Sequence, residues 1–362
     1  MDKVFQGDIY WHRYLSDQGE AVESLPAWTE VPERLVRYYR NMVLVRQLDY
    51  KIIALQRTGQ IGTYASLLGA EAIDTVVGDL MRPDDVLVPY YRNHALQMVR
   101  GLPIRDVLCY WGGDERGSAS LALREDFPNA VPIATQSLHA AGVAAAFKIR
   151  GEKRVAVTLC GDGATSKGDF LEALNVAGAW QLPVVFVVNN NQWAISVPRS
   201  IQCGATSLAQ KALGAGIRGE QVDGNDVIAL HEAVSEALKQ AREGKGATLI
   251  EAVSYRLSDH TTADDATRYR PSDELKSAWD REPVKRLQTF LHQRGWWDER
   301  QEQAWIDEVS KLIQAEVEQY LSREPQPVEH LVDYLYADLP DALEEQRARL
   351  VGNAQPGGSR YE

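Results

Sequence analysis

The sequence predicts an α/β fold: a doubly wound parallel sheet flanked by helices, with an N-terminal arm and a helical C-terminal region. Three observations carry this. Strand-like and helix-like segments alternate through the middle of the chain. Two runs, RVAVTLC (154–160) and VVFVV (184–188), are apolar throughout, as strands buried on both faces are. A segment of helical period separates them, so the three together read as a βαβ unit.

Each element can be justified in order. Residues 1–30 are polar and aromatic with little periodicity, and are expected to form an extended arm. From Pro32 to Gln56 apolar residues recur at helical spacing, with Leu35, Tyr38, Tyr39, Met42 and Val43 on one side and a stop near Gly59. GAEAIDTVVGDLM is expected as a second helix, and DVLVPYYR (85–92) as a strand running into a polar turn. SLHAAGVAAAFKI (137–149) is rich in alanine and glycine, which suits a helix packed closely on a sheet.

The βαβ unit follows, with strands at 154–160 and 184–189 around a helix at about 168–180. Phe170, Leu171, Leu174 and Ala177 are expected on its apolar face, and Ser166 and Asp169 have capping-box spacing at its start. GIRGEQVDGNDVIALHEAVSEALKQAREG reads as a short strand, a turn and a helix; ATLIEAVSY (247–255) reads as another buried strand. Residues 256–272, RLSDHTTADDATRYRPS, form a polar loop too long for a simple connection, hence either functional or disordered. From Asp273 to about Leu321 the chain is amphipathic and helical, and its last residues resemble a frayed tail. The expected organisation is an arm over 1–30, an α/β domain over 31–272, a helical extension over 273–350 and a flexible tail over 351–362.

Composition narrows the function. The 362 residues are 44% hydrophobic and 25% charged, an ordinary globular balance with enough length for a large core. A net charge of −12 without a basic cluster argues against nucleic acid. Cys109, Cys160 and Cys203 are widely spaced, which fits neither a disulfide framework nor a thiolate zinc site and suits a reducing cytoplasm. No apolar run is long enough to span a membrane, and the N-terminus lacks the apolar stretch of a signal peptide. A cytoplasmic location is expected.

The chemistry lies at the strand ends. In a βαβ unit both parallel strands end on the same edge of the sheet, where ligands of open α/β folds bind. Asp162 follows the first strand and Asn191 the second. Strands about 4.8 Å apart let two side-chain oxygens lean together on one magnesium ion at ~2.1 Å each. Such a site is normally completed by water and phosphate oxygens. Gly161 and Gly163 admit a diphosphate to the backbone, and the helix N-terminus favours its charge. Other readings exist. GDGATS begins like a dinucleotide-binding GxGxxG, but the third glycine is Ser166 and no acidic residue closes the second strand. The Walker pattern fails because Gly168 follows Lys167. Either fragment alone is explained by a tight turn; the two together at this spacing point to a magnesium-diphosphate site.

The spacing also carries a resemblance. GDG, then 26 residues, then Asn190-Asn191 is similar to the thiamin diphosphate fingerprint. GDGATSKGDFLEALNVAGAWQLPVVFVVNNNQWAIS, QVDGNDVIALHEAV and SYRLSDHTTADDATRYRPSDE resemble the alpha subunit of the first component of 2-oxo acid dehydrogenase complexes, over about residues 30 to 345. The resemblance implies a thiamin diphosphate-binding fold with magnesium held by Asp162, Asn191 and the main chain of Trp193. It implies that Tyr91 and Arg92 grip the diphosphate, alongside the backbone of Gly161, Asp162, Gly163 and Ala164. It puts Ile133 where the family has an apolar prop for the bent cofactor. His260 falls at the active-site histidine, where an imidazole can donate a proton or stabilise charge during acyl transfer. His94 and His139 are further cofactor-side candidates. Thr261 stands where some eukaryotic members carry a phosphorylated serine. Asn189 stands where one branch has a phosphate-binding arginine, which throws more of the grip onto Arg92 and magnesium.

The family also draws its activating glutamate from a separate beta chain. The resemblance therefore implies a heterotetramer of two alpha and two beta chains, with a lipoyl-bearing second component as acyl acceptor. The loop DHTTADDATRYR resembles branched-chain members in length, whereas GDFLEALNVAGAW and GAGIRGEQVDG resemble bacterial pyruvate members. The balance favours pyruvate, with branched-chain 2-oxo acid and acetoin enzymes as alternatives and a nicotinamide oxidoreductase as the reading from another class.

Overall fold

The computed structural model of the chain describes residues 1–119 and 125–354. Its strands are β1 (Trp11–His12), β2 (Val86–Val88), β3 (Ala156–Gly161), β4 (Val184–Asn190), β5 (Trp193–Ala194), β6 (Val197–Pro198), β7 (Arg218–Asp223) and β8 (Thr248–Val253). Six of them form one sheet in the order β1-β7-β8-β4-β3-β2, with every pair parallel. β5 and β6 make a separate antiparallel hairpin.

Alternate residues along the central strands face two different cores, which is why these runs do not alternate apolar with exposed polar residues; the one polar residue within β3, Thr158, is buried and donates to the Val88 carbonyl. Val157 and Leu159 of β3, with Val185 and Val187 of β4, pack with side chains of the helices Pro32–Arg57, Glu71–Leu80, Val227–Arg242 and Pro283–Gln293. Ala156 and Cys160, with Val184, Phe186 and Val188, pack instead with the helices Thr135–Arg150 and Gly168–Ala179. The result is a sheet between two helical layers. The long N-terminal helix buries all five residues expected on its apolar face.

The structure differs from the sequence reading in three places. The arm is not merely extended, because Trp11 and His12 pair with Gln221 and Val222 as an edge strand. Asp226 anchors it: Oδ2 accepts from the backbone N–H groups of Tyr14 (2.6 Å) and Leu15 (2.7 Å), while Oδ1 caps the helix Val227–Arg242. The capping box at Ser166 does not form. Asp162–Ser166 winds into its own short 3₁₀ turn, Lys167 occupies the N-cap without a side-chain bond, and Ser166 Oγ accepts from Gln202 Nε2. In the same helix Ala173, not Leu171, completes the buried face, and Leu171 is exposed.

Contacts divide the chain into two units, Met1–Val317 and Glu318–Glu362. The second contains the helices His330–Asp333 and Asp341–Ala354, joined by an Arg347–Asp333 ion pair at 2.6 Å. Residues 351–354 of the expected tail are thus helical, and the rest of that tail lies outside the described residues. Among the described residues no helix is long and apolar enough to cross a membrane.

Candidate active site

Four of the parallel strands deliver a polar segment just past their C-terminal ends. β2 leads into Tyr90–Arg92, β3 into Asp162, β4 into Asn191, and β8 into the loop that carries His260. These segments surround a cavity of about 240 Å³. Tyr91, Arg92, Ile133, Gly161, Asp162, Gly163, Ala164, Asn191, Trp193 and His260 all line it. His94 and His139 do not. His94 is buried against Tyr64, and His139 is exposed with its ring near Phe127.

The metal-binding candidates are built by two turns. Parallel pairing sets Gly161 opposite Asn189, so the chain beyond each strand starts level. Gly163 is required by close approach, since a Cβ there would stand 2.7 Å from the Ala194 side chain. Asp162 is 1% exposed, and its Oδ2 has no hydrogen-bond partner among the described residues. Burial pushes its carboxyl up to about 6, against the opposing pull of the Arg256 and Arg199 charges.

The three asparagines divide their tasks. Asn189 Oδ1 accepts from Ser254 Oγ at 2.6 Å, and Asn190 Nδ2 donates to Glu251 Oε1 at 2.6 Å, so both amides are turned to the β8 side. Neither lines the cavity; Asn191 does. Gln192 then takes a left-handed conformation, φ 71°, which lets the Trp193 N–H donate to Asn191 Oδ1 at 3.2 Å. Ile195 (φ 56°) and Ala134 (φ 71°) are left-handed too, and both line the cavity. Three non-glycine residues in that region, at a cost of about 1–2 kcal/mol each, mark a backbone held in shape by its surroundings.

Arg256, which the sequence reading passed over, supplies part of that hold. It is 2% exposed and donates to the carbonyls of Trp193 (3.3 Å) and Ile195 (2.8 Å) and to the Tyr269 hydroxyl (2.8 Å). It lies within the resembling segment, but two of these three partners are main-chain oxygens about sixty residues away, which the sequence does not show.

Arg92 and His260 meet directly. Arg92 Nη1 donates to the Ser66 carbonyl, while Nη2 donates to the His260 carbonyl at 3.0 Å and lies 3.4 Å from His260 Nδ1. A guanidinium can only donate, so His260 Nδ1 is the acceptor and the ring proton sits on Nε2. Burial and the charges of Arg92 and Arg256 depress this imidazole to about 4, so it is neutral at physiological pH. The long loop is braced across itself. Asp264 Oδ2 accepts from the His260 N–H at 2.9 Å and from Tyr269, and Asp259 Oδ1 accepts from the Ala266 N–H at 2.9 Å.

The residues fit a diphosphate with a hard divalent cation. The cavity-lining residues Asp162, with an unpartnered buried carboxylate oxygen, Asn191 and Trp193 can each offer oxygen, the donor type magnesium takes. The fork of Arg92 supplies charge for phosphate oxygens. Residues 160–164 line the cavity, whereas the helix Gly168–Ala179 contributes no lining residue. Val131, Ile133 and Ile195 form a largely exposed apolar rim.

The chain matches the family described as "Dehydrogenase E1 component" over residues 39–329. It is 41% identical over 323 residues to a 3-methyl-2-oxobutanoate dehydrogenase subunit alpha of Mycobacterium tuberculosis, covering 89% of this chain and 88% of the relative. It is 39% identical over 335 residues to a pyruvate dehydrogenase E1 component subunit alpha of Staphylococcus aureus, covering 92% and 90%.

Proposed function

The chain belongs to the dehydrogenase E1 component family and is an alpha subunit of a 2-oxo acid dehydrogenase, and on that premise we propose that its cavity holds thiamin diphosphate and magnesium for the decarboxylation of pyruvate. The observation that carries this reading is the convergence of ten residues, from four strand ends and two loops, on one cavity. Asp162 and Asn191 would hold the metal with the Trp193 carbonyl, and Arg92 and Tyr91 would hold the diphosphate. When bound, the cofactor supplies the electron sink for loss of carbon dioxide from the 2-oxo acid. The chain's own residues do the rest. Ile133 and Ile195 give the thiamin an apolar wall, and the left-handed backbone at Ala134 and Ile195 shapes it. His260 presents its Nε2–H as a hydrogen-bond donor in the cavity, suited to stabilising the charge on one lipoyl sulfur as the acyl group passes to the other, with solvent supplying the proton that completes the thiol.

The exposed apolar rim and the relatives' names as alpha subunits support a beta subunit closing the site, in a tetramer of two alpha and two beta chains. The purified chain alone should therefore show no decarboxylase turnover, and addition of its beta partner should restore it. Appreciable turnover by the isolated chain would overturn the shared site. Reconstituted enzyme should favour pyruvate over 3-methyl-2-oxobutanoate in kcat/KM. The name of the mycobacterial relative favours the second substrate, and a reversed preference in the same assay would establish that reading.

A further inference from the structure

Asp49 lies midway along the helix Pro32–Arg57, fully buried, far in sequence from every segment that lines the cavity. Buried carboxylates need partners, and this one has three. Oδ1 accepts from the Tyr64 hydroxyl (2.5 Å) and the Leu67 N–H (2.9 Å), and Oδ2 accepts from the Ser66 hydroxyl (2.6 Å). All three donors belong to residues 64–67, an irregular stretch with no strand or helix to shape it. Tyr64 has one hydroxyl proton, and it goes to Asp49. The 2.8 Å contact between Tyr64 Oη and His94 Nε2 must therefore be donated by His94, whose ring burial keeps neutral. Every proton in the cluster points towards Asp49.

The shaped segment in turn carries the loop that bears His260. The Thr262 N–H donates to the Tyr64 carbonyl at 2.8 Å, and the Tyr64 N–H donates to Thr262 Oγ1 at 3.0 Å. The Leu257 N–H donates to the Leu68 carbonyl at 3.1 Å. Gly69, at φ 96°, sits so close that a Cβ would fall 1.9 Å from the Tyr255 carbonyl oxygen. The Ser66 carbonyl also takes Arg92 Nη1, whose other nitrogen bonds His260.

We propose that Asp49 is a positioning residue. By gathering Tyr64, Ser66 and Leu67 it forms the surface on which the His260 loop is ordered and fixes the Arg92 guanidinium at the cavity. This rests on Arg92 and His260 serving the site as described above, but the ordering of the loop can be read without any activity.

The test is hydrogen exchange in the full chain assembled with its beta partner, comparing wild type with Asp49→Asn, Ser66→Ala and Tyr64→Phe. Loop peptides containing Leu257 and Thr262 should exchange roughly threefold to tenfold faster for each donated bond removed, the size expected for one intramolecular hydrogen bond. Peptides from β3, β4 and the helix Thr135–Arg150 should keep their wild-type rates. Should Asp49→Asn fail to fold, Ser66→Ala and Tyr64→Phe decide alone, since each removes one donor and leaves the carboxylate partnered. Unchanged loop exchange in both, or acceleration spread evenly over the chain, would overturn the proposal. Selective loop acceleration with full acyl transfer would uphold the positioning role and count instead against the role of His260.

Discussion

Asp162→Asn is expected to stabilise the cofactor-free chain while weakening its hold on thiamin diphosphate, two effects of opposite sign from one substitution. The sign follows from burial. The Asp162 carboxyl is pushed from 3.8 up to about 6, so between those values the folded chain binds more protons than the unfolded one. Stability therefore falls as pH rises through that window, and above it the buried charge costs about 3 kcal/mol. Asparagine removes the charge but leaves a buried polar group, so a gain on the order of 1–2 kcal/mol is expected, or a few degrees in Tm. The variant should also lose the wild type's decline in stability between pH 4 and 6. Magnesium-dependent binding of the cofactor should weaken by at least about a hundredfold, because even partners outside a metal's first shell are worth roughly 10–100-fold. In the wild type that binding should fail as pH drops below about 6, where a proton competes with the metal. Melting curves across pH and calorimetric titration with the beta chain present measure both effects. Unchanged cofactor affinity in the variant would remove Asp162 from the metal site.

His260→Ala should separate cofactor binding from acyl transfer. The ring's only direct bonds to the diphosphate grip run through Arg92, which keeps its bond to the Ser66 carbonyl when the imidazole is gone. Thiamin diphosphate affinity should stay within a few-fold of wild type. Transfer to a lipoyl acceptor should fall roughly 10²–10³-fold, the usual worth of one hydrogen-bond donor aimed at developing charge. Single-turnover assays with and without the lipoyl domain distinguish the steps. Full overall activity in this variant would refute the role.

The fold was legible where burial imposes a pattern along the chain itself. β3 and β4 are buried on both faces, so Val184–Val188 and most of β3 had to be apolar, and the long N-terminal helix advertised its face at helical spacing. The spacing from Asp162 to Asn191 was legible because one βαβ unit fixes both strand ends on the same edge. Features that depend on distant partners were not. β1 exists because Gln221 and Val222 offer it an open edge, and nothing in the arm announces that. The capping box failed because the chain after Asp162 tightens into a 3₁₀ turn, which displaces Ser166 from the cap. Arg256 was passed over although it lies in the resembling segment, and Asp49 sits in no motif; each acts on groups distant along the chain. His94 was named as a cofactor-side candidate, yet its ring turns away to Tyr64 and the Asp49 cluster.

These residues give the site its logic. An unpartnered carboxylate oxygen, an amide, a buried guanidinium and a neutral imidazole all belong to residues that line one cavity. Titrating the reconstituted assembly with thiamin diphosphate and magnesium, and separately with NADH, tests that directly. One thiamin diphosphate should bind per alpha chain, binding should vanish when magnesium is chelated, and NADH should give no heat. Metal-independent binding, or saturable binding of NADH in place of thiamin diphosphate, would contradict the account.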